Sequence, residues 1–356
     1  MGNFRTWVQE RGSPRQRLLE HGVAIIATGA REYRGPAYGL GQHPRVLTQA
    51  NLDALLAGRG EGVPADLPTP DQWRSVAMVQ CVGPWDEPEA QEPFYCSRIC
   101  CATAVKNAIA LKERNPEAQV VILYNRDIRT YGRIEALYTQ ARRLGVTFVR
   151  YPEGERPDIR LEGEKPAIRV TDAALNIDLT LEPDVLVLSE AIVPAEGHQD
   201  LAELFKFSCT LEGFFLEAHV KLQPVDFPSE GLYLAGLCHY PKLMEEAQTQ
   251  ALAAAARAAR ILAKDHLEVG GAVAVVEQAR CTGCLTCVRV CPFGAIRINH
   301  EAVGAGGILG AAEVQAAACR GCGICAGECP AKAIQLEHFR DEQIWAKIDA
   351  LLSAPV

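Results

Sequence analysis

Two observations in this 356-residue sequence predict an α/β protein with a parallel sheet, followed by a smaller module of different texture. The first is an alternation between residues 75 and 189. Residues 75–82 (SVAMVQCV), 119–124 (QVVILY), 146–151 (VTFVRY) and 184–189 (DVLVLS) are apolar runs of strand length. Residues 102–114 and 133–144 have helical spacing. Strand, helix, strand, helix, strand is how parallel strands connect through right-handed crossovers. The second observation is a change at about residue 266, where short elements punctuated by cysteine begin. At roughly 150 residues per domain, the length allows two or three domains.

The remaining elements follow in chain order. Residues 22–30 (GVAIIATGA) form a short apolar run closed by small residues, which reads as a buried parallel strand. Residues 46–57 have helical spacing, and 58–70 are rich in Gly and Pro, so they read as a loop. Gly145 stops the helix 133–144. Residues 167–172 and 177–181 read as a hairpin, and 231–236 (GLYLAG) as a short strand ending in glycine. Residues 242–264 form a long alanine-rich helix with Pro241 near its first position, where proline is tolerated. A terminal helix is expected over 341–353.

Charge excludes some functions. There are 36 basic and 44 acidic residues, a net of −8. The chain has no electrostatic footprint for nucleic acid or an anionic membrane. The opening MGNFRTWVQERG holds no apolar h-region and no run of eighteen apolar residues occurs, so neither a secretory signal nor a membrane span is expected. A cytoplasmic, reducing location is expected. Fourteen cysteines in such a chain are not a disulfide framework.

Eight of those cysteines form an internal repeat: Cys281-x2-Cys284-x2-Cys287-x3-Cys291-Pro292 and Cys319-x2-Cys322-x2-Cys325-x3-Cys329-Pro330. This is the bacterial ferredoxin run. A cubane offers four iron corners, each needing one thiolate. Two-residue gaps let one tight loop furnish three of them, with its amides directed at the sulfurs. In two-cluster ferredoxins the last cysteine of each run serves the other cluster. The expected sets are therefore Cys281, Cys284, Cys287 with Cys329, and Cys319, Cys322, Cys325 with Cys291. Paired zinc knuckles are the alternative, but they leave the third cysteine of each loop and the trailing Cys-Pro unexplained.

Four more cysteines, Cys81, Cys96, Cys100 and Cys101, fit no standard zinc or ferredoxin spacing. Cys81 ends a strand and Cys100-Cys101 open a helix. In a nucleotide-binding βαβ unit that turn would read G-x-G-x-x-G and cradle a pyrophosphate. Here it carries cysteines, and no such fingerprint follows a strand anywhere in the sequence. A helix N-terminus favours thiolates and an anionic cluster. Small buried cysteines are the alternative. Cys209 reads as structural, and Cys238 as a small buried residue.

Taken together, the stretches RVLTQ (45–49), YCSRICC (95–101), DIRTYG (127–132), EAIVP (190–194), GFFLEAH (213–219), PVDF (224–227) and GLCHYPK (236–242) resemble the A-type subunit of the heterodisulfide reductases. That family is a flavin and iron–sulfur electron-transfer family. With the ferredoxin repeat, the resemblance covers nearly the whole chain.

The resemblance implies thioredoxin-reductase-like Rossmann-type domains, with the FAD half incomplete and the NAD(P)-type domain degenerate, followed by an α+β two-[4Fe–4S] ferredoxin domain. The boundaries expected are 1–74 for a partial FAD-type domain and 75–183 for the degenerate nucleotide-type domain carrying a cluster. Residues 184–265 close the FAD-type domain, 266–340 form the ferredoxin-like domain, and 341–356 the C-terminal helix. The resemblance also implies three [4Fe–4S] clusters, the non-standard one on Cys81, Cys96, Cys100 and Cys101. FAD would lie at Thr28, Gly29, Ala30, Gly236, His239 and Lys242. Lys106, one turn beyond Cys101, would bridge the cluster loop and the flavin as the catalytic residue. A solvated helix lysine is the plain alternative for Lys106, and a loop histidine and a helix-cap lysine for His239 and Lys242.

The family's Gly-rich FAD fingerprint is absent from this sequence. A partner chain furnishing that N-terminal half is expected, with FAD shared at the interface. A version that keeps only clusters is the alternative, a flavin-free wiring and docking scaffold. Other redox subunits of a heterodisulfide-reductase-like complex, and ferredoxin, are expected partners, and electron bifurcation is the chemistry the family permits. A self-contained NAD(P)H dehydrogenase is disfavoured, because nothing else offers a pyrophosphate cradle.

Overall fold

The computed structural model describes residues 4–60, 63–64, 67–86, 95–266 and 271–353. Parts of the expected 58–70 loop and the stretch 87–94 between Cys81 and Cys96 lie outside the described residues. The chain divides into two compact units. One holds Ile26–Val225 and Leu234–Ala254; the other holds the residues up to Ile25, Asp226–Tyr233 and those from Ala255 onward. The boundaries expected from the sequence do not coincide with this division, because strands on either side of residues 75 and 184 share one sheet.

The first unit is built on a five-stranded parallel sheet. Its strands are ordered Val46–Thr48, Val185–Glu190, Ser75–Val82, Gln119–Tyr124 and Thr147–Arg150. Val185 to Leu188 are 0% exposed, as a central parallel strand covered on both faces must be. Helices Gln49–Leu56, Cys100–Arg114 and Glu135–Arg143 cover one face, packing Leu52, Val105, Ala108 and Ala141 against Val76, Met78 and Ile122. On the other face a three-stranded antiparallel sheet brings Ile168 and Val170 onto Val79, Leu123 and Leu188.

The expected strands at 75–82, 119–124, 167–172 and 177–181 occur with those bounds. Three expectations need correction. Residues 22–30 are not one buried parallel strand but two short ones, Ala24–Ile26 and Ala30–Glu32. Gly29 adopts φ +72° between them, which breaks the extended run. Ala30–Glu32 then pairs antiparallel with Ile192–Pro194. Residues 46–48 are strand rather than helix, since pairing with Leu186–Leu188 overrides the helical spacing. The alanine-rich helix starts at Met244, not beside Pro241, and its first turn is tied back by Glu246, whose carboxylate accepts the Leu243 N–H at 2.8 Å.

The second unit contains the cysteine repeat. Ala274–Val276 pairs antiparallel with Ile334–Leu336, and Ile296–Val303 with Leu309–Val314. Short helices Thr286–Val290 and Ile324–Gly327 occupy equivalent places in the two runs. Its small core includes Ala274, Ile296, Ala311, Ala312, Ala333 and Ile334. Among the described residues, no helix is long and apolar enough to cross a membrane.

Candidate functional site

The two cysteine runs interleave. One cavity is lined by Cys281, Cys284, Cys287 and Cys329, and another by Cys319, Cys322, Cys325 and Cys291. Each cavity thus takes three cysteines from one run and the last from the other. The third residue of each opening loop is a glycine, Gly283 and Gly321, at φ +64° and +65°. A Cβ on Gly321 would stand 2.3 Å from the Ala272 carbonyl oxygen, so the loop closes only on glycine. Backbone amides reach the sulfurs: Ala312 to Cys281 at 3.4 Å, Ala333 to Cys329 at 3.3 Å, Ala274 to Cys319 at 3.4 Å and Ala295 to Cys291 at 3.3 Å. Such N–H donors aimed at sulfur are what the electron-rich sulfurs of a cubane's ligands accept. Cys284 and Cys322 are exposed, whereas Cys281, Cys287, Cys325 and Cys329 are buried.

In the sheet unit, Cys81 lies at the carboxyl end of the strand Ser75–Val82, where ligands of parallel sheets bind. Its φ of +63° puts a non-glycine residue in the left-handed region, a strain of about 1–3 kcal/mol kept mainly at functional positions. Cys100 and Cys101 occupy the first turn of a 15-residue helix. That helix has no side-chain N-cap and no acid in its first turn, so its positive end is uncompensated beside the two sulfurs. Cys96 accepts the Arg98 N–H at 3.3 Å.

Cys81, Cys100 and Cys101 feel neighbouring sulfurs. Cys81 is pushed up to about 12 by burial first, then by the Cys101 and Cys96 sulfurs. In the buried Cys100–Cys101 pair, Cys101 is lowered because Cys100 hydrogen-bonds it, against the effect of burial and with the Arg129 amide and charge adding to the lowering. Cys100 rises correspondingly. Crowded thiols that repel one another's ionised forms suit a cationic iron core. Among the described residues, no three Cys, His, Asp or Glu side chains converge as ligands of a single metal ion.

A second network surrounds the turn at Gly236, which has φ +80° and open space where a Cβ would be. Lys242 donates to the carbonyls of Gly236 at 2.8 Å and Tyr240 at 2.9 Å, and approaches His239 Nδ1 at 3.4 Å. His239 Nδ1 also accepts from Gln250 Nε2 at 2.8 Å, while its Nε2 meets Glu217 at 2.8 Å. These partners assign the proton to Nε2, with Nδ1 as acceptor. Burial, then Lys242, lowers His239, and burial lowers Lys242 to about 8. Two donors of the Lys242 ammonium are engaged by carbonyls inside the turn, and the third faces the Nδ1 that Gln250 already occupies.

The expected flavin residues therefore divide. Gly236, His239 and Lys242 are brought together. Thr28 hydrogen-bonds His198 Nε2 at 2.8 Å, and the Cys238 thiol, 0% exposed, joins the two segments by bonding the Ile26 and Ala235 carbonyls at 3.3 and 3.2 Å. Gly29 forms the bend and Ala30 pairs with Pro194. Lys106 is placed elsewhere: its ammonium is bonded to Asp53 at 2.5 Å on a half-exposed helix face. Lys106, expected to bridge the cluster loop and the flavin, is here paired with the adjacent helix Gln49–Leu56.

Several contacts here escaped the sequence reading. Arg98 and Glu246 form an ion pair at 2.7 Å, and Glu217 and Gln250 orient His239. Nothing in periodicity or spacing marks them. A cavity of about 1030 Å³ is lined by Pro84, Tyr95, His198, Thr210 and Gly213 among others, and so adjoins both the cysteine loop and the partner of Thr28. Glu190 is buried with both carboxylate oxygens unpartnered, and Gln80, beside Cys81, likewise.

Comparison with known proteins gives these arrangements a lineage. Residues 264–339 match the family model of a 4Fe-4S dicluster domain. The chain is 38% identical over 352 residues to the A-type subunit of the H(2):CoB-CoM heterodisulfide,ferredoxin reductase of Methanothermobacter marburgensis, covering 96% of this chain and 51% of the relative. The chain is a relative of the heterodisulfide reductase A-type subunits. The corresponding subunit of Methanothermobacter thermautotrophicus is 39% identical over 350 residues, again 96% of this chain and 50% of the relative. The chain thus spans about half the length of the curated relatives it matches. A solved thioredoxin reductase of T. acidophilum aligns with a TM-score of 0.41 and 12% identity, over 72% of this chain and 71% of that one. Those relatives are named as reductase subunits, and the dicluster match marks residues 264–339 of this chain as an iron–sulfur module.

Proposed function

We propose that this chain is an electron-transfer subunit of a heterodisulfide-reductase-like flavin and iron–sulfur oxidoreductase, active within a complex. It would relay single electrons between FAD and two ferredoxin-type clusters, with a third cluster on Cys81, Cys96, Cys100 and Cys101. The interleaving of the two cysteine runs around two cavities carries the reading. It favours cubanes over paired zinc knuckles, since each cavity takes three cysteines of one run and the last of the other, the ligand exchange of two-cluster ferredoxins.

The chain's own residues would act as follows. Cys281, Cys284, Cys287 and Cys329 hold one ferredoxin-type cluster, and Cys319, Cys322, Cys325 and Cys291 the other, with amides stabilising the sulfur charge. The uncapped helix end at Cys100 supports the anionic third centre. Gly236 leaves room for a close approach, and the His239–Lys242 network fixes the shape of that turn. FAD, when bound, supplies the conversion between two-electron and one-electron transfer. The pyrophosphate-binding half of its site would come from residues outside this sequence, and the other redox subunits and ferredoxin would be partners. Splitting an electron pair between high- and low-potential acceptors is the use such a branch point would serve.

A second reading is a flavin-free wiring and docking scaffold. The closed hydrogen bonding of the Gly236 turn favours it, because Lys242 and the Gly236 N–H, bonded to Gln250 at 2.9 Å, already have partners. Anaerobic purification of the complex, with iron, sulfide and flavin counted per copy of this chain, decides between them. About twelve irons with one flavin is the expected result. About twelve irons without flavin selects the scaffold. In the same assay Cys100→Ser is expected to lower the count to about eight; an unchanged count would remove Cys100 from the ligand set.

A further inference from the structure

The loop carrying Cys96 is tied to the segment after Gly236 by two contacts. The guanidinium of Arg98 bonds Glu246 at 2.7 Å, and the Tyr240 hydroxyl donates to the Cys96 carbonyl at 3.2 Å. Arg98 stands between Cys96 and Cys100, and its own N–H is on the Cys96 sulfur at 3.3 Å. Its φ is +61°, a left-handed conformation that a long side chain rarely adopts. Such a conformation persists where surrounding contacts over-determine it, and here those contacts are the sulfur and the carboxylate. Glu246 in turn accepts the Leu243 N–H, so one carboxylate joins the first turn of the helix Met244–Leu262 to the cysteine loop.

We infer that Arg98 is a positioning residue that locks the four-cysteine loop to the Gly236 segment and that, opposed by Glu246, it adds to the charge felt at the four-cysteine centre. The inference rests on the reading that Cys81, Cys96, Cys100 and Cys101 hold a cluster. Its physical basis is simple. A thiolate-ligated cluster gains one negative charge on reduction. A nearby cation therefore favours the reduced form more than the oxidised form, and a nearby carboxylate does the reverse. Both side chains are about two-fifths exposed, 42% and 40%, so water screens the effect. Each charge removed is expected to change the one-electron reduction equilibrium roughly twofold to fivefold, which is about 20 to 40 mV at 59 mV per decade.

The test is a redox titration of the holo-complex followed by EPR, with iron counted in every variant. Arg98→Gln is expected to lower the midpoint potential of the third cluster and Glu246→Gln to raise it. Arg98→Lys, which keeps the charge, should stay near the wild-type potential. Opposite signs from two variants that break the same ion pair are what a charge effect gives and loosened packing does not. Shifts of the same sign, or no shift, with iron content intact would overturn the inference. A wild-type complex with about eight irons and no third signal would instead remove the cluster reading, and this inference with it.

Discussion

At the scale of single residues, partners decide roles that spacing leaves open. Lys106 sits one helical turn from Cys101, which suggested a bridge, yet Asp53 holds its ammonium. Arg98 makes the link to the far segment, although nothing in CSRICC distinguishes it from a solvated arginine. Glu190 is a further case. Burial first, then the carboxylates Glu32 and Asp86, raise it from 4.5 to about 8, against a smaller opposite effect of Arg34. Between those values the folded chain keeps a proton that the unfolded chain has lost. Stability from this group is therefore greatest below about pH 4.5 and falls as pH rises through about 8. Glu190→Gln is expected to flatten the pH dependence of the melting temperature across that window. An unchanged slope in thermal melts at a series of pH values would show that Glu190 titrates normally.

At the scale of elements, sequence and structure agree where one local force dominates. SVAMVQCV and QVVILY are mostly apolar, because an inner parallel strand is covered on both faces. They diverge where pairing partners arrive from far along the chain. The spacing of 46–57 is helical, but the first three residues join the sheet edge and only Gln49–Leu56 is helix. Thr48 marks the change: its hydroxyl accepts the Asn51 N–H and Asn51 Oδ1 accepts the Thr48 N–H, each at 3.2 Å. Thr48→Ala removes that cap and also the hydroxyl's bond to Glu32. It is expected to cost about 1–2 kcal/mol, measured as a shift in the urea midpoint at unchanged slope.

At the scale of the whole molecule, a repeat in sequence becomes an exchange in space. Cys291 belongs to the first run by sequence but lines the cavity of the second. Cys291→Ser is accordingly expected to disturb the cluster held by Cys319, Cys322 and Cys325, while Cys281→Ser disturbs the other. Combining each with Cys319→Ser tests this through the iron count. The Cys291→Ser, Cys319→Ser pair should lose about four irons, and the Cys281→Ser, Cys319→Ser pair about eight. Equal losses would undo the exchange. The division of the chain into units was not legible in the sequence, since Asp226–Tyr233 belongs with residues far from it in number. Its Asp226 is held by Arg257 through bonds of 2.7, 3.0 and 3.1 Å.

By itself the sequence determined the α/β class, the inner strands and main helices of the parallel-sheet unit, the ferredoxin repeat and the kinship with the heterodisulfide reductase A-type family. Those features depend on local periodicity, turn chemistry and cysteine spacing, which are written in consecutive residues. Only the tertiary structure decided that Lys106 faces Asp53, that Lys242 is engaged within its own turn, and that Arg98 and Glu246 join the cysteine loop to the Gly236 segment. Each of these is a contact that a fold makes and a spacing does not. A charged side chain takes the partner that packing places within a few ångströms, and no local pattern records which one that will be.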